Sequence, residues 1–413
     1  MDDKKTKEYQ FVKETTKKVP KNWKLLSMKL GRILIAAVIF GAVACLVFCL
    51  LRPVLEEHLA GRKNTVNLKE PDQPKEEQEP VIIQENKAMT LEDYENLENQ
   101  LYRVGKDARI SVVEIRTVTA AKDWFDQEYE AAGRGAGVIL AETGSEILVL
   151  TEQSLIANAK KQEVTFWGNS SAEARLKAYD GNTGFAILSV EKRGLDSNLL
   201  EQIRPLQIGN ATGMTAGDFV VAVGRPQGSA GSVLTGKITA TDREVSIADR
   251  NYRVYMTDMM ADTSAGGVVL NRAGELVGVI THLHHPKDSV DPVWFLPMSE
   301  VKTLVEDLSN GEQIPYLGVH ISEVTQEISE AYDLPRGIYI KRVDADAPAM
   351  TAGLQAGDVI VKVNGTEVLT ERAWDIAMED LKPDEKVSVT VKRLGSANTY
   401  QDVECSAVIG TKN

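Results

Sequence analysis

The 413-residue sequence predicts a mainly β fold preceded by a single transmembrane helix. Two observations predict it. Residues Ile33 to Leu51 are consecutive uncharged, mostly apolar residues, and at about 1.5 Å per residue they reach roughly 28 Å, close to the hydrocarbon thickness of a bilayer. From Ile110 onward, short β-branched runs broken by glycine and polar turns recur with little helix between them: Ile110–Val118, Gly137–Leu140, Ile147–Thr151, Val164–Trp167, Ala186–Val190, Phe219–Val223, Val233–Ala240, Val254–Thr257 and Val277–Ile280. Such a succession means a sandwich or a barrel.

The elements follow in order. Residues 1–32 carry ten Lys/Arg against four Asp/Glu, whereas the far flank of the apolar run soon turns acidic. The positive-inside rule therefore predicts a cytoplasmic tail, a span over 33–51 and everything later outside the membrane. A cleaved signal peptide fits less well, because the basic start is too long and the apolar run is full length. A lipoprotein box at Ala42-Val43-Ala44-Cys45 fits less well still, since apolar residues continue past the cysteine. Residues 52–89 are polar and rich in Pro and Glu, as in Glu70-Pro71-Asp72-Gln73-Pro74, and cannot bury enough apolar surface to fold, so they read as a tether. Thr90 then offers a helix N-cap, and Leu91, Tyr94, Leu97 and Leu101 follow at helical spacing.

Composition limits the partners. The chain is 43% hydrophobic and 26% charged, ordinary for a globular body with a sizeable core. Its formal net charge is -13, more negative still once the basic tail is set apart, so nucleic acid is not an expected partner. Cys45 and Cys49 lie in the apolar run and Cys405 stands alone, so no disulfide can staple the folded part.

The chain is organised around Thr257-Asp258-Met259-Met260-Ala261-Asp262-Thr263-Ser264-Ala265-Gly266-Gly267-Val268-Val269-Leu270, a tight glycine loop feeding an apolar strand. Other stretches accompany it: Gly133-Arg134-Gly135-Ala136-Gly137-Val138-Ile139-Leu140, Ala222-Val223-Gly224-Arg225-Pro226-Gln227-Gly228, Gly231-Ser232-Val233-Leu234-Thr235-Gly236-Lys237-Ile238, Asn271-Arg272-Ala273-Gly274-Glu275-Leu276-Val277-Gly278-Val279, and Phe295-Leu296-Pro297-Met298 leading into a helix over Ser299–Leu308. In this order, over residues 105 to 410, they resemble the HtrA serine proteases. The resemblance implies a trypsin-like double β-barrel over 90–311. In that family the loop reads Gly-Asn-Ser-Gly-Gly, which places Ala265 at the nucleophile, Ser264 at the asparagine and Thr263 at a glycine whose N–H helps form the oxyanion hole.

The same resemblance leaves the site without a catalyst. The family's Leu-Thr-Asn-Asn-His-Val is similar to Leu150-Thr151-Glu152-Gln153-Ser154-Leu155, which puts Ser154 at the histidine. Its Thr-Asp-Leu-Ala-Val-Leu is similar to Thr183-Gly184-Phe185-Ala186-Ile187-Leu188, which puts Gly184 at the aspartate. The five histidines are His58, His282, His284, His285 and His320, so the first barrel has no imidazole to offer. A rival reading makes Ser264 a shifted nucleophile with His282 or His284 as its base. His282 and His284 also sit at alternate positions, as metal ligands on a strand would, but only Asp288 and Asp291 could add to them, and neither metal nor any other cofactor is expected.

Residues 312–410 resemble a PDZ domain of the HtrA type. The markers are Pro315-Tyr316-Leu317-Gly318-Val319, Ala352-Gly353-Leu354-Gln355-Ala356-Gly357-Asp358-Val359-Ile360 and Val363-Asn364-Gly365. Such an α+β domain holds a peptide C-terminus on the N–H groups of a glycine loop and clamps the peptide between a strand edge and a helix. Tyr316, Leu317, Gly318 and Val319 would form that loop. Trp374, Ala377 and Met378, on a helix starting near Thr370, would line the groove, although Trp374 and Leu381 read equally well as core residues. The sequence thus reads as a membrane-anchored, HtrA-like pseudoprotease that binds C-terminal or unfolded segments outside the membrane. A peptidase with noncognate residues, and a regulatory subunit that joins active relatives in a mixed oligomer, are the alternatives, and the family resemblance implies a homo- or hetero-trimer.

Overall fold

Alternating apolar residues and tight turns assemble the first half of the body into two barrels. The computed structural model describes residues 90–122, 128–157, 159–262, 264–283, 292–396 and 398–412. The tail, the apolar run Ile33–Leu51 and the tether lie outside these residues. Among the described residues no helix is long and apolar enough to cross a membrane.

Helix α1 (Leu91–Ala108) opens the body through the N-cap foreseen at Thr90, which the structure completes as a capping box: its hydroxyl accepts from the Asp93 amide while the Asp93 carboxylate accepts from the Thr90 amide. The foreseen apolar stripe needs correction. Leu91 and Tyr94 are exposed, and the buried contacts fall a turn or two later at Leu101, Gly105 and Ala108. The reason is Gly105, where a Cβ would collide with Val221 and Val233; the missing side chain brings the helix onto the second barrel at its C-terminal half and leaves the first turns projecting.

Strands β1 (Val112–Lys122), β2 (Glu128–Glu142), β3 (Glu146–Glu152), β4 (Ala159–Thr165), β5 (Ser171–Tyr179) and β6 (Phe185–Glu191) close into an antiparallel barrel in the order β1-β2-β3-β6-β5-β4. Its interior is filled by Ile115, Ile139, Ile147, Val149, Val164 and Leu188. Strands β7 (Phe219–Gly224), β8 (Ser232–Ile247), β9 (Arg250–Met260), β10 (Gly267–Asn271), β11 (Leu276–Ile280) and β12 (Pro292–Pro297) form a second closed barrel ordered β10-β11-β12-β9-β8-β7. Closure removes the sheet edges that an open sheet would leave unpaired. A third cluster, including Leu150, Phe185, Val221, Leu270 and Leu296, welds the barrels to each other and to α1.

Two short helical segments, α2 (Gln153–Ile156) and α3 (Ser197–Gln202), interrupt the strands. Helix α4 (Met298–Asn310) follows β12 and ends where Gly311 adopts φ +77°, the left-handed C-cap that glycine favours. Beyond it lies a sheet ordered β13-β14-β15-β17-β18, from β13 (Val319–Val324), β14 (Gly337–Val343), β15 (Val359–Val363), β17 (Lys386–Leu394) and β18 (Tyr400–Val408), with a two-residue strand β16 (Thr366–Glu367) on β15. Helices α5 (Gln326–Tyr332), α6 (Pro348–Thr351) and α7 (Glu371–Glu379) complete this domain, whose core holds Ile321, Ile340, Ile360, Trp374, Val389 and Val391. Cys405 is a buried free thiol in the same core.

Candidate functional site

The loop between β9 and β10 is shaped by glycine. Gly267 adopts φ +123° opposite Gly224 on β7, and a Cβ on it would overlap the Val223 carbonyl. Arg225 and Gly266 exchange amide bonds, 2.7 Å one way and 3.3 Å the other, and the Arg225 guanidinium also donates to the Arg134 carbonyl across the barrels. A cleft of about 630 Å³ opens beside this loop, and Ser154, Gly184 and Ala265 all line it. Two barrels thus bring together three residues spread over more than a hundred positions of the chain.

The atoms in that cleft are committed elsewhere. Ala265 presents a methyl group and is 2% exposed. Its amide hydrogen goes to the Asp262 carbonyl at 2.9 Å, closing a tight turn. Ser264 donates both its amide (2.9 Å) and its hydroxyl (2.7 Å) to one oxygen of the Asp262 carboxylate. Those bonds, the hydroxyl first, hold the Asp262 carboxyl below its ordinary range. His282 lies 2.6 Å from the Ala265 carbonyl through Nε2, and because a carbonyl only accepts, Nε2 carries the hydrogen. On the opposite wall Ser154 is exposed, with its hydroxyl 3.4 Å from the Glu152 carboxylate. Gly184 adopts φ +75° with open space where a side chain would stand. Thr263, His284, His285, Asp288 and Asp291 lie outside the described residues.

The second candidate site is the loop Tyr316–Val319 ahead of β13. Its carbonyls are spoken for: Tyr316 pairs with Gly410 in both directions at 2.9 Å, the Leu317 carbonyl takes the Ala349 amide, and the Gly318 carbonyl takes the Asp344 amide. Gly318 adopts φ +88°, and a Cβ there would collide with Ala347. Tyr316 buttresses the loop by donating its hydroxyl to Asp344 at 3.0 Å. The remaining amides converge on one carboxylate. Leu317 N–H donates to Asp249 Oδ2 at 2.7 Å, Gly318 N–H to both oxygens at 2.8 and 2.9 Å, and Val319 N–H to Oδ1 at 2.9 Å.

Asp249 belongs to the second barrel, at the turn between β8 and β9, where it adopts φ +65°. Its amide donates to the Val319 carbonyl at 2.7 Å. Its carbonyl accepts from the Trp374 indole at 2.7 Å. Trp374 is therefore both things at once: a fully buried member of the domain core and the residue on α7 that reaches the groove. Met378 is buried one turn on and lines a small cavity with Asp249, while Ala377 is half-buried against the core.

Comparison with known proteins bears on the two domains that carry these loops. A trypsin-like peptidase domain model matches residues 135–279, and a PDZ domain model matches residues 315–403. The serine protease Do-like HtrB of Bacillus subtilis (strain 168) is 28% identical over 287 residues, covering 64% of this chain and 60% of the relative. The serine protease Do-like HtrA of Lactobacillus helveticus is 30% identical over 284 residues, covering 64% of this chain and 67% of the relative. The chain belongs to the HtrA/Deg family. Among solved structures, the HtrA-type protease AlgW with tripeptide shares its fold at a TM-score of 0.53 and 24% identity, over 76% of this chain and 97% of that one. The chain spans between 56% and 60% of the length of the first three curated HtrA relatives.

Sequence reasoning located the HtrA loops but missed the groups that fill them. Asp262, Glu152 and Asp344 carry no motif of their own and act only through folded contacts. Asp249 gave one weak signal, an Asp in a hairpin turn, where left-handed backbone is tolerated.

Proposed function

We propose that this HtrA-family chain is a membrane-anchored pseudoprotease that binds exposed C-terminal or unfolded protein segments without cutting them. The observation that carries the reading is the state of the loop at Ala265. A serine protease of this fold needs a hydroxyl there, a histidine to take its proton, a carboxylate to orient the histidine, and free amides for the oxyanion. Residue 265 offers a methyl, its amide is given to Asp262, and the positions that resemble the histidine and aspartate hold Ser154 and Gly184. The shifted pair Ser264 and His282 is disfavoured by the same geometry, since the hydroxyl donates to Asp262 and the imidazole N–H to Ala265. Binding is supported by the convergent amides of Leu317, Gly318 and Val319, which already hold a carboxylate.

In this reading residues 1–32 are a cytoplasmic tail, 33–51 the anchor, 52–89 the tether, 90–311 the inactive barrels and 312–410 the PDZ domain. Protease treatment of intact cells is expected to remove the C-terminal domain while a tag on residue 1 stays protected; the reverse pattern would overturn the topology. The purified full chain in detergent is expected neither to hydrolyse casein nor to react with a fluorophosphonate probe. Time-dependent labelling that disappears in Ser264→Ala would overturn the pseudoprotease reading and establish the shifted nucleophile.

A further inference from the structure

Strands β8 and β9 run on past the barrel as a two-stranded hairpin, with Ile247 paired to Arg250 at its tip. That tip lies between β13 and α7, the two walls of the groove. On the β13 side Asp249 N–H donates to the Val319 carbonyl, as the last residue of a peptide adding to that strand would. At the closed end its carboxylate takes the three loop amides, and Ala248 is buried against Tyr316 and Ala347. On the α7 side the Trp374 indole donates to the Asp249 carbonyl, Arg250 pairs with Glu379 at 2.9 Å and lies 3.8 Å from Asp375, and Asn251 donates to Glu371 at 2.7 Å. Every wall of the site is engaged by this one hairpin.

We propose that the β8–β9 hairpin is a built-in ligand that closes the PDZ groove, the Asp249 side-chain carboxylate standing in for the C-terminal carboxylate of a peptide. The inference rests on reading that groove as a C-terminal peptide site. The match in chemistry is specific. Three amide hydrogens in a glycine turn select an anion with two oxygens, and a side-chain carboxylate supplies one without ending the chain. The left-handed backbone at Asp249 turns its carboxylate into the loop while the chain passes on to Arg250. A peptide with a free C-terminus must then displace the hairpin, so occupancy of the groove and release of the PDZ domain from the barrel are one event. An amidated peptide cannot replace the bonds it would have to break.

The test uses the full chain in detergent and a fluorescein-labelled decapeptide pool with a free carboxylate and an apolar last residue, with the amidated pool as control. Fluorescence polarisation is expected to show weak binding of the free pool to wild type and at least tenfold tighter binding to Asp249→Asn, which keeps the size and backbone preference of the side chain but not its charge. Arg250→Ala, which loosens the tip without touching the loop, is expected to tighten binding in the same direction and carries the comparison if Asp249→Asn fails to fold. The amidated pool is expected to bind none of them. Equal, tight binding of the free pool to all three chains would overturn the latch while leaving the groove as a peptide site. No binding by any of them would overturn the peptide reading and the latch with it.

Discussion

Rebuilding the residues that the family resemblance places in the triad tests the pseudoprotease reading of the cleft. The perturbation is Ser154→His with Gly184→Asp and Ala265→Ser, compared with Ala265→Ser alone. In the single variant the new hydroxyl has no base, and loss of the histidine in a serine protease costs on the order of a million-fold in turnover, so activity is expected to stay undetectable. In the triple variant the residues are present but the backbone is not prepared. The amide of residue 265 is bonded to the Asp262 carbonyl at 2.9 Å, and the turn is held further by two bonds from Ser264 to the Asp262 carboxylate. One missing oxyanion donor costs roughly 10²–10³ in kcat. Gly184 at φ +75° has room for a side chain but makes an L-residue adopt left-handed backbone, about 1–2 kcal/mol in general and less for Asp.

The triple variant is therefore expected to label slowly with a fluorophosphonate and to turn over a fluorogenic peptide on the order of 10²–10³-fold more slowly than a variant that also carries Asp262→Gly, which keeps the carbonyl at 262 but removes the carboxylate whose two bonds from Ser264 pin the turn. Stopped-time labelling read on gels and initial rates on the peptide supply both numbers. If Ala265→Ser alone labels and turns over, the cleft holds a base that this reasoning has missed. If the triple variant is as fast as the one without the carboxylate, the pinning of the turn by Asp262 is no barrier and the argument about the oxyanion hole fails.

Three other outcomes follow from the folded contacts. Burial pushes the Asp249 carboxyl up to about 6 against the pull of three amides, and it does the same at Asp307 and Asp375, whereas His320 is pushed down by burial and Asp344 is held low by its Tyr316, His320 and Lys412 partners. A carboxyl raised in the folded state contributes stability at low pH that is lost as pH rises through about 6, so the melting temperature of wild type is expected to rise relative to Asp249→Asn between pH 7.5 and pH 5; a falling difference would refute the sign. Arg393 forks onto Asp358, which is 1% exposed, with two 2.7 Å bonds, so Arg393→Ala is expected to cost the PDZ domain roughly 2–4 kcal/mol in a urea melt, somewhat under the full buried-pair range because the arginine is partly exposed. Gly267→Ala, at φ +123° against the Val223 carbonyl, is expected to destabilise the second barrel by ~3 kcal/mol or more, and a melt within about 1 kcal/mol of wild type would show that the loop is softer than its geometry implies.

Most strands were legible because their apolar residues alternate or run together: Ile147–Thr151, Ala186–Val190 and Phe219–Val223 all fall inside β3, β6 and β7. Strand β5 was not, because Ser171–Tyr179 contains no β-branched residue and Ala174 is its one fully buried side chain. Strand β12 begins and ends on proline, which argues against a strand from sequence yet is tolerated at strand ends. The cleft was legible in its three key positions, since short motifs mark Ser154, Gly184 and Ala265 wherever the chain folds them. What the sequence could not reveal is that the amide of Ala265 and the ring of His282 are already bonded, because those bonds depend on the turn at Asp262 and on the approach of β11 to the loop.

The hairpin tip was missed for a related reason, and the reason bears on how the latch can work. Thr241–Arg253 is polar, and in isolation it reads as a surface loop between Val233–Ala240 and Val254–Thr257. It is strand through the pairing of β8 with β9, and its tip is held by a domain about 70 residues later, a relation no local pattern encodes. Four amide contacts to one carboxylate look too strong to open, but Asp249 is buried, and the cost of drying an ionised oxygen pair offsets much of what the bonds return. A carboxyl raised to about 6 expresses the same balance. A tenfold gain in peptide affinity on removing the charge would mean that the wild-type groove is open about one tenth of the time. That bias is about 1.4 kcal/mol, small enough for an incoming C-terminus to reverse; it weakens every peptide by the same factor, and rejection of those that lack a carboxylate falls to the three loop amides they would leave unpaired.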